Sequence, residues 1–163
     1  MVAGIKKELI NKKNNMKEKK IYIIEDDADL LYSLESEFAA DDFEVETSYG
    51  DEEPEELLDN IREFEPEYII IDLILPKTDG FELIKRIKSD DNFGQKQIFV
   101  FTDLSDEDSR IRSLDLGADY IFFKEEFDTF EFSEKVKKII NNQTKTSRHG
   151  DGEDEEDGDD YNE

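Results

Sequence analysis

Five short apolar runs, each followed by a stretch with helical spacing, constrain the fold of this 163-residue chain more than any other feature. Four of the runs are continuous and rich in Ile, Val and aromatic residues, which is typical of strands buried on both faces of a sheet. They cover 21–24, 68–71, 98–101 and 120–123. The run at 43–48 instead alternates apolar and polar residues, as a half-exposed edge strand does.

Apolar residues at helical spacing follow every candidate strand. In the fourth such stretch, Ser105 and Asp108 predict a capping box at the start of the helix. Ile111 and Leu114 predict its apolar face, and Gly117 predicts its end. The apolar faces predicted for the other helices are Leu30, Leu31, Leu34 and Phe38 in the first, Leu57, Leu58 and Ile61 in the second, Phe81, Leu83, Ile84 and Ile87 in the third, and Phe130, Val136, Ile139 and Ile140 in the fifth.

Strands that alternate with helices imply βαβ units, which are almost always right-handed and give a parallel sheet with helices on both faces. We therefore predict an α/β fold, a (βα)5 doubly wound parallel sheet. Because the half-exposed strand is the second, the predicted strand order is 2-1-3-4-5, the flavodoxin-like order. In this order a functional site is expected at the carboxyl ends of the strands, where the order reverses between strands 1 and 3.

Composition and charge exclude several classes of function. The chain has no cysteine and a single histidine, His149, which excludes a thiol nucleophile, a Ser-His-Asp triad and a multi-histidine metal site. A formal net charge of -25 argues against nucleic-acid binding. No apolar run is long enough for a membrane span or placed as in a secretory signal, so we predict a cytoplasmic protein that binds no membrane.

Charge also marks the predicted boundaries. We predict a basic and flexible extension over residues 1–17, one domain over 18–142 and an acidic tail over 143–163. The tail holds nine acidic and two basic side chains, and from Arg148 onward it has no aliphatic residue. Such a segment cannot bury enough apolar surface to offset its ordering entropy, and we predict that it is disordered.

Polar residues follow the inner candidate strands where each strand ends. They are Glu25 and Asp26 after the first, Asp72 after the third, Thr102 after the fourth and Lys124 after the fifth. Clustered carboxylates repel one another, and Mg²⁺, which takes carboxylate and phosphate oxygens as ligands, would offset that repulsion. Lys124 and Thr102 would then contact phosphoryl oxygens. These residues predict phosphoryl transfer onto a carboxylate.

The chain resembles the response-regulator receiver domain of two-component signalling over about residues 18–142, in the segments YIIEDD, IIIDLILPKTDG, FVFTD and FFK. The resemblance implies that Asp72 is the phosphoacceptor. It also implies that Thr102 is the switch hydroxyl and that Lys124 pairs with the phosphoryl group or with Asp72. Mg²⁺ would be bound directly by Asp26 and Asp72, through water by Glu25, and by the main-chain carbonyl of Ile74.

The function implied by this resemblance is that of a stand-alone receiver. It would accept a phosphoryl group from a histidine kinase or a histidine phosphotransfer protein and signal to an unknown downstream protein. Contacts would be made through the fourth helix, fifth strand and fifth helix, with homodimerisation on phosphorylation as one outcome. The only chemistry expected is Mg²⁺-dependent self-phosphorylation and dephosphorylation, so we do not predict an enzyme.

Three residues depart from the family pattern. Glu125 stands where the family usually has a cis proline, and we expect a trans bond there because a non-proline cis bond costs about 3–4 kcal/mol. Asp103 replaces a small residue. Ile121 replaces the switch aromatic, with Tyr120 displaced onto the opposite face of the strand.

These departures leave a second hypothesis, a pseudo-receiver that binds partners without being phosphorylated. The intact Asp72 and Lys124 argue against it. A third hypothesis is a Mg²⁺-dependent phosphatase of the haloacid-dehalogenase type. That family has a second aspartate two residues after its nucleophile, and Ile74 occupies that position here.

Overall fold

A computed structural model describes residues 19–149, which form five strands and five helices in strict alternation. The strands are β1 (Lys19–Ile24), β2 (Phe43–Ser48), β3 (Tyr68–Ile71), β4 (Gln97–Thr102) and β5 (Tyr120–Phe123). The helices are α1 (Ala28–Ala40), α2 (Pro54–Phe64), α3 (Gly80–Lys88), α4 (Glu107–Leu116) and α5 (Thr129–His149). The predicted extension 1–17 and the end of the predicted tail lie outside the described residues.

All five strands are parallel and lie in the order β2-β1-β3-β4-β5, so the predicted topology is confirmed. The register places Ile24 beside Ile71 and Ile71 beside Val100, which brings the strands to a common edge. The main-chain ladder continues past β3, where the N–H of Asp72 donates to the carbonyl of Ile24 at 3.1 Å. The residues that follow the strands are thereby held next to one another.

Successive residues of each inner strand point to opposite faces of the sheet and fill two separate cores. One core packs against α2 and α3, with Leu57, Ile61 and Ile84 among its fully buried residues. The other packs against α1 and α5, with Leu34 and Phe132 fully buried. Helices therefore cover both faces of the sheet, as the continuous apolar runs predict.

The orientation of α4 differs from the prediction. The N-cap is Asp106 rather than Ser105, because the Asp106 carboxylate accepts both the main-chain N–H and the hydroxyl of Ser109, at 2.8 and 2.7 Å. Ser113 is the buried residue of the helix, whereas Ile111 and Leu114 are 46% and 41% exposed. The apolar pattern of α4 is too sparse to fix its rotation. The predicted end at Gly117 is confirmed, with φ of 112°.

The last helix also differs from expectation. Phe132, Val136 and Ile140 form its buried face, and Phe130 is exposed. It continues to His149, past residue 142 where we predicted that the domain ends. Extending a helix that is already packed adds one main-chain hydrogen bond for each residue that becomes ordered, which favours continuation into the polar residues. Within residues 19–149, none of the helices is both long and apolar enough to cross a membrane.

Candidate functional site

The carboxyl edge of the sheet gathers the residues that the sequence singles out. Glu25 and Asp26 follow β1, Asp72 follows β3, Thr102 ends β4 and Lys124 follows β5. Adjacent strand ends are tied together, since the N–H of Lys124 donates to the carbonyl of Thr102 at 2.9 Å. The site lies at the reversal of strand order between β1 and β3, as predicted.

Lys124 is the central cation of this edge. Its Nζ lies 2.7 Å from Oδ2 of Asp72 and 2.8 Å from Oε2 of Glu25. Both carboxylates are almost fully buried, with Asp72 4% and Glu25 2% exposed. The ring of Phe101 lies beneath the ammonium, with its centroid 5.9 Å from Nζ. One ammonium thus bridges two buried carboxylates.

The electrostatics of the site follow from burial and from this bridge. Burial raises the pKa of Glu25 from 4.5 to about 7, and the nearby charge of Asp72 adds to the rise, while the hydrogen bond from Lys124 opposes it. Burial on its own would lower the pKa of Lys124. The hydrogen bonds to Asp72 and Glu25 outweigh burial, and this pKa lies above its usual value of 10.5. Lys124 is therefore charged at neutral pH.

Three carboxylates at this edge have the arrangement of a cation site. Glu25, Asp26 and Asp72 each offer an oxygen atom, and the three atoms lie within 4.8 Å of one another, the one such group found among residues 19–149. Asp26 is exposed, so the group opens to solvent. The donors are all oxygen, and one lysine leaves their charge incompletely balanced. Both properties fit a hard divalent cation such as Mg²⁺.

The loop after β3 fixes the orientation of Asp72. Its Oδ1 accepts the N–H of Ile74 at 3.2 Å, and the N–H of Gly80 donates to the carbonyl of Leu73 at 3.1 Å. A Cβ on Gly80 would lie 2.4 Å from Cα of Leu73, closer than any side chain tolerates. Only glycine permits this close approach, which is the physical reason for glycine at this position. The side chain of Ile74 is half exposed beside Asp72.

Thr102 is fully buried, and its hydroxyl oxygen accepts the N–H of Leu104 at 3.2 Å. This bond ties the threonine side chain to the loop that leads into α4. Asp103, which lies between Thr102 and Leu104 in the chain, is exposed. Thr102 therefore connects the site to the start of the loop before α4.

The structure accounts for two departures of the sequence near β5. All peptide bonds within residues 19–149 are trans, including the bond between Lys124 and Glu125, as predicted. Ile121 packs towards the α2 and α3 side of the sheet. Tyr120 faces the opposite side, where it stacks on Phe99 with the ring centroids 5.1 Å apart. The displaced aromatic residue is therefore part of the core on the α1 and α5 side.

Two supporting residues of the site are not among its predicted functional residues. The N–H of Asp27 donates to Oε1 of Glu25 at 3.1 Å, while the Asp27 carboxylate caps α1 by accepting the N–H of Leu30 at 3.0 Å. Phe101 lies under Lys124. Glu25, Asp26 and Asp27 form a run of three acidic residues directly after β1, and such a run is typical of a helix start, which is the role that Asp27 has. A strand residue such as Phe101 carries no signal of its contact with a distant lysine.

A doubly wound sheet with three carboxylates and a lysine at its switch point defines the receiver class of signalling domain. Residues 21–137 match the sequence family of the response regulator receiver domain, and the chain belongs to this family. Response regulator ArlR from Staphylococcus aureus is 30% identical over 123 residues, which are 76% of this chain and 53% of that protein. The chain spans about half the length of the curated relatives it matches.

Solved structures agree with this assignment. A protein described as a response regulator from Chloroflexus aurantiacus J-10-fl is 27% identical, with a TM-score of 0.66 over 77% of this chain and 99% of that chain. The phosphorylated cyanobacterial phytochrome response regulator RcpA is 27% identical, with a TM-score of 0.63 over 76% of this chain and 91% of that chain.

Proposed function

We propose that this protein is a phosphoacceptor receiver that takes a phosphoryl group onto Asp72 from a histidine kinase or a histidine phosphotransfer protein. The observation that carries the proposal is the position of Asp72, buried at the switch point within 2.7 Å of the Lys124 ammonium. A relative of 27% identity has been solved in phosphorylated form, which supports the same chemistry here. The predicted cytoplasmic location stays a prediction.

In the proposed reaction, a carboxylate oxygen of Asp72 attacks the phosphorus of a phosphohistidine, an O–P bond forms, and the N–P bond to the donor breaks. Lys124 moves from the carboxylate to a phosphoryl oxygen and balances its charge. The Thr102 hydroxyl, which now accepts a hydrogen bond from Leu104, retains its own proton to donate to another phosphoryl oxygen.

Glu25, Asp26 and Asp72 would hold Mg²⁺, with the main-chain carbonyl of Ile74 as a further ligand. The ion would supply electrostatic stabilisation of the transferring group. The role of the Ile74 carbonyl rests on the family resemblance alone. The contribution of this chain is the preformed carboxylate group, whose oxygens already lie within 4.8 Å of one another.

We further propose that the output surface comprises α4, β5 and α5, and that it binds a downstream protein or a second copy of the chain. Reorientation of Thr102 towards a phosphoryl group would break its bond to the N–H of Leu104 and release the loop that leads into α4. Ile111 and Leu114 are large apolar residues exposed on α4, and a partner would cover them.

Intact-mass measurement after incubation with Mg²⁺ and acetyl phosphate tests the proposal. The parent should gain one phosphoryl group, and chelation of the metal or the substitution Asp72→Asn should abolish the gain. Asp103→Asn is the matched control, because it removes an exposed carboxylate near the same site and should retain the gain. An equal gain in Asp72→Asn would contradict the assignment of Asp72. No gain in the folded parent would favour the pseudo-receiver.

A further inference from the structure

A groove of about 740 Å³ lies at the amino edge of the sheet, opposite the carboxylate site. It is bounded by α5, by the end of α1 and by the first residues of β1 and β2. Five lysines line it: Lys19, Lys135, Lys137, Lys138 and Lys145. Five lysines around one groove contrast with the net charge of -25 of the whole chain, and we call this surface the lysine groove.

The lysines of the groove fall into two sets. Lys137 is buried and neutralised within the fold, with Nζ 2.6 Å from Oδ2 of Asp41 and 3.4 Å from Oε1 of Glu134. Lys19 donates to Oδ1 of Asn141 at 2.7 Å, which ties the start of β1 to α5. These two lysines hold the walls of the groove together.

The second set faces solvent. Lys135, Lys138 and Lys145 are exposed and make no ion pair with any residue in the described part of the chain. Spacings of three and seven residues place them on one face of α5. Lys135 contacts the Phe127 ring at 5.4 Å through its ammonium. Three acidic residues also line the groove, and two of them, Asp41 and Glu134, pair with Lys137. Only the charge of Asp42 is left to offset the exposed lysines among the lining residues. The exposed wall of the groove therefore keeps an excess of positive charge.

The segment that continues from this helix has the complementary charge. Residues 150–163 contain nine acidic side chains and no basic one. The segment starts directly after α5, one turn beyond Lys145, and Gly150 and Gly152 permit the chain to reverse direction. Fourteen residues span up to about 46 Å when extended, whereas Lys138 lies only about 17 Å back along the helix. The segment is long enough to return along the whole lysine groove.

We propose that residues 150–163 dock on the lysine groove and neutralise the exposed lysine face of α5. The strongly acidic remainder of the chain repels such a segment, and tethering at the end of α5 gives it a high effective concentration at the groove. Residues 1–18, which contain five lysines and two glutamates, directly precede Lys19, a lining residue of the same groove. An acidic partner would have to displace the segment to bind there.

Paramagnetic relaxation in the full chain tests this docking. Because the chain has no cysteine, Glu156→Cys provides a single site for a spin label. At about 0.02 M salt, the label should broaden the amide signals of residues 135–138, which lie about 17–21 Å back along α5 from its end, and leave those around Asp72 sharp. At about 0.5 M salt, where charges beyond a few ångströms are screened, the broadening should be lost.

Charge reversal locates the contact. Lys138→Glu combined with Lys145→Glu should abolish the broadening of residues 135–138. The matched control is Lys77→Glu with Lys85→Glu, which makes the same change in net charge at exposed lysines on other faces and should retain it. Equal broadening in both double variants, equal loss in both, or broadening that survives high salt in the parent would overturn the proposal. Broadening that arises only between a labelled chain and a separate isotope-labelled chain would also overturn it, because the contact would then be intermolecular.

Discussion

Glu25 makes the stability of the metal-free protein depend on pH in a direction opposite to that of most carboxylates. The side chain is 2% exposed, and burial raises its pKa from 4.5 to about 7 despite the ion pair with Lys124. We predict that Glu25→Gln, which keeps the shape of the side chain and removes its charge, raises the free energy of unfolding of the metal-free protein more at pH 8 than at pH 4.5.

The size of the effect follows from proton linkage. Below pH 4.5 Glu25 is neutral in both the folded and the unfolded chain and its ionisation contributes nothing. Between 4.5 and about 7 the unfolded chain has lost the proton that the folded chain retains, so the folded state loses stability as the pH rises. At about 1.4 kcal/mol per pH unit the loss reaches roughly 3 kcal/mol and is complete above pH 7.

Urea unfolding with a metal chelator, at several pH values from 4.5 to 8, measures this difference. The free energy of unfolding of Glu25→Gln minus that of the parent should rise with pH by roughly 3 kcal/mol and then stay constant. Glu35→Gln, at an exposed position of α1, is the control and should show no comparable rise. A Glu25→Gln difference that is flat or falls across this window would refute the desolvation argument.

Three further predictions concern the site and its loop. Asp26→Asn should weaken Mg²⁺ binding in titration calorimetry by at least about tenfold, because it removes one of three charged ligands, whereas Thr102→Ala should leave affinity nearly unchanged. Ile74 and Leu104 are apolar residues that lie two residues after Asp72 and two residues after Thr102. Ile74→Asn with Leu104→Glu should shorten the lifetime of the proposed phosphoaspartate by roughly tenfold to a hundredfold in a mass-spectrometric time course, because polar side chains at these two positions can orient a hydrolytic water. Gly80→Ala should lower the free energy of unfolding by about 2 kcal/mol or more, because the added Cβ meets backbone at 2.4 Å.

The strand order and the convergence of the site were accessible from the sequence because both follow from chain direction. In a parallel sheet, every residue that follows a strand lies at one edge, so Glu25, Asp72 and Lys124 had to come close once five strands were identified. The pairing of Lys124 with Glu25 as well as Asp72 was not predicted. It depends on the register of β1, β3, β4 and β5, which fixes distances of a few ångströms that periodicity does not encode.

The rotation of α4 and the end of α5 are two features that the sequence pattern did not predict correctly. In α4, capping by Asp106 and burial of Ser113 outweigh the burial of Ile111 and Leu114. Several weak preferences compete there, and the packing against the sheet decides among them. Helix propagation likewise depends on what is already folded, so a polar composition alone did not predict that α5 reaches His149.

The two edges of the sheet differ electrostatically because the fold is parallel. Each helix begins near the carboxyl edge and ends near the amino edge, so the positive ends of the helix dipoles face the carboxylate site and the negative ends face the lysine groove. Asp27, Asp79 and Asp106 cap helices at the first edge, whereas Lys145 lies near the end of α5 at the second and Lys138 lies near the middle of that helix. The helix field thus favours anions where Asp72 lies, whereas at the amino edge it favours lysines and opposes an acidic segment, so the proposed docking depends on the lysine charges. Because the sheet separates the two sites, reversing charge in the lysine groove should leave the yield of phosphorylation on Asp72 unchanged while it abolishes docking of residues 150–163.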